Sequence, residues 1–554
     1  MNKCWFYKVG LVVVFLCFAC LGGAKVKLPT LVSDGMVLQR ERPVNIWGTA
    51  EPDETIIVNF LKKKYTTVAD KEGNWKVTLP AMKAGGPYTM TINEFQLKDI
   101  LVGDVWLCSG QSNMELPVSR VTDLFRDEIN ADSNYPMIRH IKVPLQYNFH
   151  APQNDIQKTS WQTMTPENAM SFSAVAYFFA KDIYQKTKIP VGLINSSVGG
   201  SPVEAWISEE GLIPFPLYLN EKHIYESDDL IAAMKKVEGM KQAAWNVSLY
   251  REDKGLHETT SWYVADYDDS NWNATDLFAT YWATNGLNPV NGSHWFRKDF
   301  QVSGGQAGKE ATLRMGCIVD ADSVYINGRF VGTVSYQYPP RIYQIPAGLL
   351  KEGKNTITVR LISGGGMPRF VKEKPYKILF GKGQPEKGET EISLEGTWKY
   401  RLGASMPSAP GQTFFQYKAV GLYNAMIAPL LNYSVTGTIW YQGESNVSRR
   451  NEYEALLTTM IADWRQRWNQ PDLPFYIIEL ADFLSREDKG GRAAWAEFRK
   501  VQAEVADKNK NVTLIKNSDL GEWNDIHPLD KKTIGQRVSE AVYQERDKKE
   551  KTFR

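Results

Sequence analysis

At 554 residues the chain is too long for one ordinary hydrophobic core and predicts roughly three or four domains. Its 43% hydrophobic and 23% charged residues are the composition of a soluble globular protein. A formal net charge of +2 excludes a basic field for nucleic acid, while 17 Trp and 26 Tyr provide for β-cores or carbohydrate-stacking surfaces.

The N-terminus, MNKCWFYKVGLVVVFLCFACLGGA, sets Lys3 and Lys8 before an apolar run from Leu11 and closes on Gly22, Gly23 and Ala24. This is the layout of a signal peptide over residues 1–24, cut after Ala24, and it predicts export to the periplasm or the outside. Cys20 offers a lipid-anchored form as the lesser alternative, and no later segment reads as a membrane span. Three of the five cysteines lie in this leader. Cys108 and Cys317 remain, too few for a disulfide framework or a zinc site.

Residues 25–100 read as short strands with Gly, Pro and Asp punctuation about every ten residues, which predicts an N-terminal β-sandwich. The texture changes at Leu101: DVWLCSG is a buried strand, SFSAVAYFFAKDIYQ has helical spacing, and IPVGLINSSVGG is a second strand ending in a Gly-rich turn. Residues 101–234 are therefore the first part of an α/β domain. Residues 235–405 revert to β texture, with INGRFVG as a hairpin turn. From 406 to 554 the α/β pattern resumes: GLYNAMIAPLLNY predicts a helix, TGTIWYQGES a strand and loop, PFYIIELADF and NVTLIK further strands, and DKKTIGQRVSEAVYQE a closing helix. One α/β domain interrupted by a β-domain is the economical account.

Sites on such sheets collect at the carboxyl ends of strands. Ser112, in LCSGQSNMEL, follows one of them. SNME also fits a capping box, with Ser112 as N-cap and Glu115 at N3. A serine becomes a nucleophile only beside a base, and of six histidines only His527, in SDLGEWNDIHP, lies in a loop after an α/β strand. Asp525, two residues earlier, faces the same way in an extended loop and can accept from Nδ1–H. Donors for an oxyanion are the Ser112 N–H, an N–H of the Gly199–Gly200 turn and the Gln442 amide. Glu444 and Asn446 follow in the same loop, where they can contact substrate; Glu444 can instead orient the histidine.

DVWLCSGQSNME, INSSVGGSPVEAW, GLYNAMIAPLLNYSVTGTIWYQGESN and DIHP resemble, in this order, the sialate O-acetylesterase family of SGNH (GDSL-like) hydrolases. The stretch YDDSNW…HWFRKDFQV…VDADSVYINGRFVG is similar to the sugar-binding jelly-roll of family 2 glycoside hydrolases. The resemblance implies an α/β fold with an SGNH-type, flavodoxin-like parallel sheet flanked by helices, an N-terminal β-sandwich and an inserted β jelly-roll. It implies a serine esterase that removes acetyl groups from sugar hydroxyls, 9-O-acetyl sialic acids foremost. Ser112 would be nucleophile, His527 base and Asp525 its partner, with an oxyanion hole of Ser112, Gly200 and Gln442. No cofactor or metal is required, and the expected partner is an O-acetylated glycan. The alternatives are an acetylxylan or other plant polysaccharide deacetylase, and a non-catalytic glycan-binding protein. Two departures stand out: Gly-Gln-Ser replaces the Gly-Asp-Ser of the wider superfamily, and Asn524, not an acid, stands three residues before His527.

Overall fold

The computed structural model describes residues 26–286, 288–381 and 391–552. The leader at 1–24 lies outside them. Six strands form a parallel sheet in the spatial order Val512–Ile515, Phe475–Ile478, Gly437–Tyr441, Phe95–Gly110, Val191–Ser197 and Tyr135–Lys142. Gln162–Met164 adds an antiparallel edge. All seven residues of Val191–Ser197 and all five of Gly437–Tyr441 are buried, as strands covered on both faces must be. The helix Ala174–Thr187 packs against the closing helix Lys531–Thr552. It begins at Ser173, whose hydroxyl accepts the Ala176 N–H, and ends at Lys188 in the left-handed region.

The 16-residue strand Phe95–Gly110 belongs to two layers at once. Its first half pairs antiparallel with Gly85–Ile92, and its second half is the centre of the parallel sheet. Side chains of the N-terminal strands, such as Ile46, Val58 and Leu79, accordingly share one apolar core with the α/β layers.

Between about 270 and 406 lie a six-stranded and a four-stranded antiparallel sheet. They enclose a separate core that includes Phe296, Leu313, Val324, Ile357 and Trp398. The INGRFVG hairpin is there, joining Ala321–Ile326 to Arg329–Val334 with Asn327 and Gly328 both at positive φ. The long helix Asp228–Glu252 leads into this region. The helix expected in GLYNAMIAPLLNY is a π-turn over Tyr423–Ile427 followed by a 3₁₀ turn at Ala428–Leu430, because Pro429 has no N–H to continue an α ladder. Among the described residues no helix is long and apolar enough to cross a membrane.

Candidate active site

The loops that leave the carboxyl ends of the central parallel strands converge. Phe95–Gly110 ends against Tyr441: Gly110 has φ +133°, and a Cβ there would lie 2.2 Å from the Tyr441 carbonyl oxygen. Gln111 N–H then donates to that carbonyl at 2.8 Å. The turn is so tight that Gln111, not Ser112, takes the N-cap position, and Ser112 is the first residue of the one-turn helix Ser112–Glu115. The expected capping box is therefore absent. Met114 and Glu115 N–H both reach the Gln111 carbonyl, and the Glu115 carboxylate instead accepts the Gly199 N–H at 2.7 Å.

Released from capping, Ser112 Oγ lies 2.9 Å from His527 Nε2. This pairs residues 415 positions apart. His527 is only 7% exposed. Burial, reinforced by the positive charges of Lys531 and Arg120, pushes its pKa down to about 3, so the imidazole is neutral, the form a base must have before it takes a proton, while the same surroundings disfavour the imidazolium.

Asp525 sits differently from expectation. Its Oδ1 accepts the His527 backbone N–H at 2.9 Å but is 3.8 Å from Nδ1, beyond hydrogen-bond range. His527 Nδ1 is buried without a hydrogen-bond partner among the described residues. Asp525 Oδ2 accepts from Lys374 at 3.2 Å, and Lys374 also bridges Glu522 at 2.7 Å. Two further bonds tie this loop to the antiparallel region: Asn524 Nδ2 donates to the Lys372 carbonyl and Trp523 Nε1 to Glu373, each at 2.7 Å. The Tyr338 ring meets His527 edge-on, with centroids 5.1 Å apart.

The two glycines of the 199–200 turn have different roles. Gly199 N–H is engaged by Glu115, whereas Gly200 N–H has no acceptor among the described residues. Gly200 has φ +78°, and a Cβ there would lie 2.1 Å from the Tyr417 hydroxyl. Ser112 N–H likewise has no acceptor among the described residues. Gln442 is fully buried, with Nε2 2.7 Å from Asn446 Oδ1 and Oε1 accepting from Tyr453 at 2.9 Å.

Glu444 and Asn446, expected to contact substrate, are instead bonded inward. Asn446 accepts the Val203 N–H at 3.0 Å and donates to buried Glu204 at 3.0 Å. Glu444 Oε1 accepts from Asn113 Nδ2 at 2.6 Å, and burial raises the pKa of its carboxyl. The same Asn113 amide reaches the Ile526 carbonyl at 3.0 Å, and its Oδ1 accepts from Lys531 at 2.6 Å. Burial pushes the Lys531 pKa down to about 7. Asn113 thus fastens the nucleophile turn to both the 526–527 loop and the 442–446 loop. Sequence reasoning missed Asn113, Lys531, Tyr338 and Lys374. Asn113 alone carried a signal, standing inside the GQSNM motif.

One cluster of histidine and carboxylates among the described residues, Glu209, His223 and Glu226, has ligand atoms close enough for a metal. Lys222 already bridges both glutamates, so the charge an ion would neutralise is met.

The profile of a carbohydrate esterase family, sialic acid-specific acetylesterase, matches residues 102–243 and 406–544, together just over half of the chain. The gap holds both sheets of the antiparallel region. The sialate O-acetylesterase of Homo sapiens is 33% identical over 212 residues, 34% of this chain and 40% of that protein. That of Rattus norvegicus is 31% identical over 227 residues, 37% of this chain and 42% of that protein. These matches span about two fifths of the relatives' length. A solved carbohydrate acetylesterase from Xanthomonas citri aligns over 93% of this chain and 74% of its own, at 24% identity and a TM-score of 0.53, which shows a shared fold.

Proposed function

Because this chain belongs to the sialic acid-specific acetylesterase family of carbohydrate esterases, we propose that it is a serine esterase acting on O-acetylated sugars. The observation that carries this reading is the 2.9 Å contact between Ser112 Oγ and a neutral, buried His527 at the carboxyl end of the parallel sheet. His527 Nε2 takes the Ser112 proton as Oγ bonds to the acetyl carbonyl carbon. The oxyanion forms against the N–H groups of Ser112 and Gly200, whereas the Gln442 amide, expected as a third donor, is spent on Asn446 and the Ser201 carbonyl. The carbon–oxygen bond to the sugar then breaks, and His527 returns the proton to the leaving alkoxide. Water, deprotonated by the same imidazole, attacks the acetyl-serine and frees acetate and Ser112. Asp525 acts as the acid of the triad by holding the His527 backbone and opposing the charge of the transient imidazolium.

The wider organisation belongs to the same proposal. The parallel sheet is that of an SGNH-type hydrolase divided into 101–234 and 406–554, after an N-terminal β-sandwich and around an insertion at 235–405 whose jelly-roll strands begin near 273, beyond the helix Asp228–Glu252 that crosses the first boundary. The leader directs export. The preferred substrate is an O-acetylated sialic acid, with the 9-O-acetyl form foremost; the mammalian relatives are named as sialate O-acetylesterases, a name that carries no position. Acetate release from O-acetylated sialic acids and from acetylated xylo-oligosaccharides, measured side by side, tests the reading. Turnover of the first set is expected. Turnover of the second alone would reassign the substrate to plant polysaccharide, and none from either would remove the esterase assignment.

A further inference from the structure

The helix Asp228–Glu252 carries two apolar stripes, and only one is used. Ile231, Trp245 and Leu249 face inward, against Phe149 and Phe415 at one end and Ala404 and Met406 at the other. The inward face is also fixed by polar bonds: Glu238 accepts from Thr413, and Trp245 Nε1 donates to the Pro407 carbonyl at 2.9 Å. The second stripe is Leu230, Ala233, Val237, Met240, Ala244 and Val247, and every one of these residues is exposed. Met240 stands 64% exposed and Val237 50%. A continuous exposed apolar row along one helix, unlike single exposed hydrophobics, points to a partner.

The spacing is specific. Steps of 3, 4, 3, 4 and 3 residues are the spacing of a coiled-coil seam over two and a half heptads, a surface that another helix lying nearly along this one would cover. The order of sizes is more specific still. Large, small, large, large, small, large reads the same in both directions. An antiparallel copy therefore stacks Leu230 on the partner's Val247, Ala233 on the partner's Ala244 and Val237 on the partner's Met240. Each large layer meets a large one, and the alanine layers let the backbones approach. A patch that complements itself about a two-fold axis is the isologous interface of a homodimer. The antiparallel direction also opposes the two helix dipoles and sets the acidic opening, Asp228 and Asp229, beside the partner's last turn with its Arg251, although that turn also carries Glu252.

We infer that the exposed seam of Asp228–Glu252 is the two-fold interface of a homodimer built from antiparallel copies of this helix. Sedimentation velocity on the chain from Lys25 onward, which contains every described element, tests it. The expected species has twice the chain mass, and Met240→Glu shifts it to single mass, with at least a tenfold weaker association, while circular dichroism is unchanged. Register is read separately. Ala233→Cys/Ala244→Cys is expected to give a covalent dimer on mild oxidation, whereas Ala233→Cys alone gives none. The native Cys108 and Cys317 are buried and do not compete. A wild-type monomer at all concentrations overturns the inference. So does a dimer that survives Met240→Glu and resists cross-linking, because its interface then lies elsewhere.

Discussion

The two sides of the Ser112–His527 pair are held by different parts of the molecule. On the nucleophile side every support belongs to the α/β core. Gly110 abuts Tyr441, Gln111 caps the turn, and Asn113 is bonded to Glu444, Ile526 and Lys531. On the acid side Asp525 is shared between the His527 backbone and Lys374, a residue of the antiparallel region. The loop before it is tied to residues 372 and 373. The contrast separates two requirements of the chemistry. A neutral base in reach of the serine is prebuilt by burial and by nearby cations. The carboxylate for the imidazolium is nearby but not bonded to Nδ1. The serine turn is held by the α/β core, whereas the insertion sets the acid and also packs Tyr338 against the His527 ring.

The largest effect tests the prebuilt side. Ser112→Ala should lower kcat on a small acetyl ester by about 10⁴–10⁶ while leaving the thermal unfolding curve intact. Residual turnover near wild type would mean that another nucleophile operates. Next comes the oxyanion turn. Gly200→Ala sets a Cβ 2.1 Å from the Tyr417 hydroxyl and puts a side chain at a φ of +78°, so the Tyr417 ring must yield and the turn that aims the N–H is strained. A loss of about 10²–10³ in kcat is expected, with KM changed far less. The matching Gly199→Ala should be milder, because its N–H already serves Glu115 and its φ is not left-handed. Equal losses at the two positions would put the donor role in doubt.

These residues also show what the sequence could and could not express. Ser112 and His527 were legible because each follows an apolar strand, and because a census of six histidines leaves one in a suitable loop. The inward bonding of Glu444 and Asn446 was not legible, since WYQGESN reads equally well as a polar rim. Lys531 reads as the exposed start of a helix in DKKTIGQRVSE, yet it lies buried beneath Asn113, 418 residues away in sequence. The capping box failed for a local reason with a distant cause: pairing with Gly437–Tyr441 sets where the turn begins and moves the cap to Gln111. Strand neighbours, and the insertion's grip on 522–525, are pairings at long range that no local pattern encodes.

The acid side predicts smaller effects. Asp525→Ala should cost about 10–10² in kcat, since the carboxylate makes no bond to Nδ1 and the base is neutral without it. Lys374→Met should reproduce part of that loss by releasing Asp525, and Lys374→Arg should restore most of it. A loss at Asp525 as large as at Ser112 would sharpen the comparison differently, by showing that the carboxylate moves onto Nδ1 once substrate is bound.

The smallest effect concerns stability and divides the same two regions. Burial lowers the pKa of His140 and His527 to about 3 in the α/β part, and of His294 to about 4 in the antiparallel part. Each imidazole is neutral when folded but takes a proton near pH 6.5 when unfolded. Its contribution is therefore complete above pH 6.5 and is lost as pH falls toward the folded value. One unit below 6.5 the loss is about 1 kcal/mol per imidazole. His294 donates from Nε2 to the Val290 carbonyl and accepts at Nδ1 from Tyr400, so His294→Asn lowers stability at every pH through lost bonds. It should also remove one proton from the acid slope. Denaturant unfolding at pH 7.5 and 5.5 separates the two contributions: the gap between the two pH values should shrink by about 1 kcal/mol in the variant. An unchanged gap would mean that His294 is protonated in the folded protein, and the antiparallel core would then open to water at a pH where the α/β core stays closed.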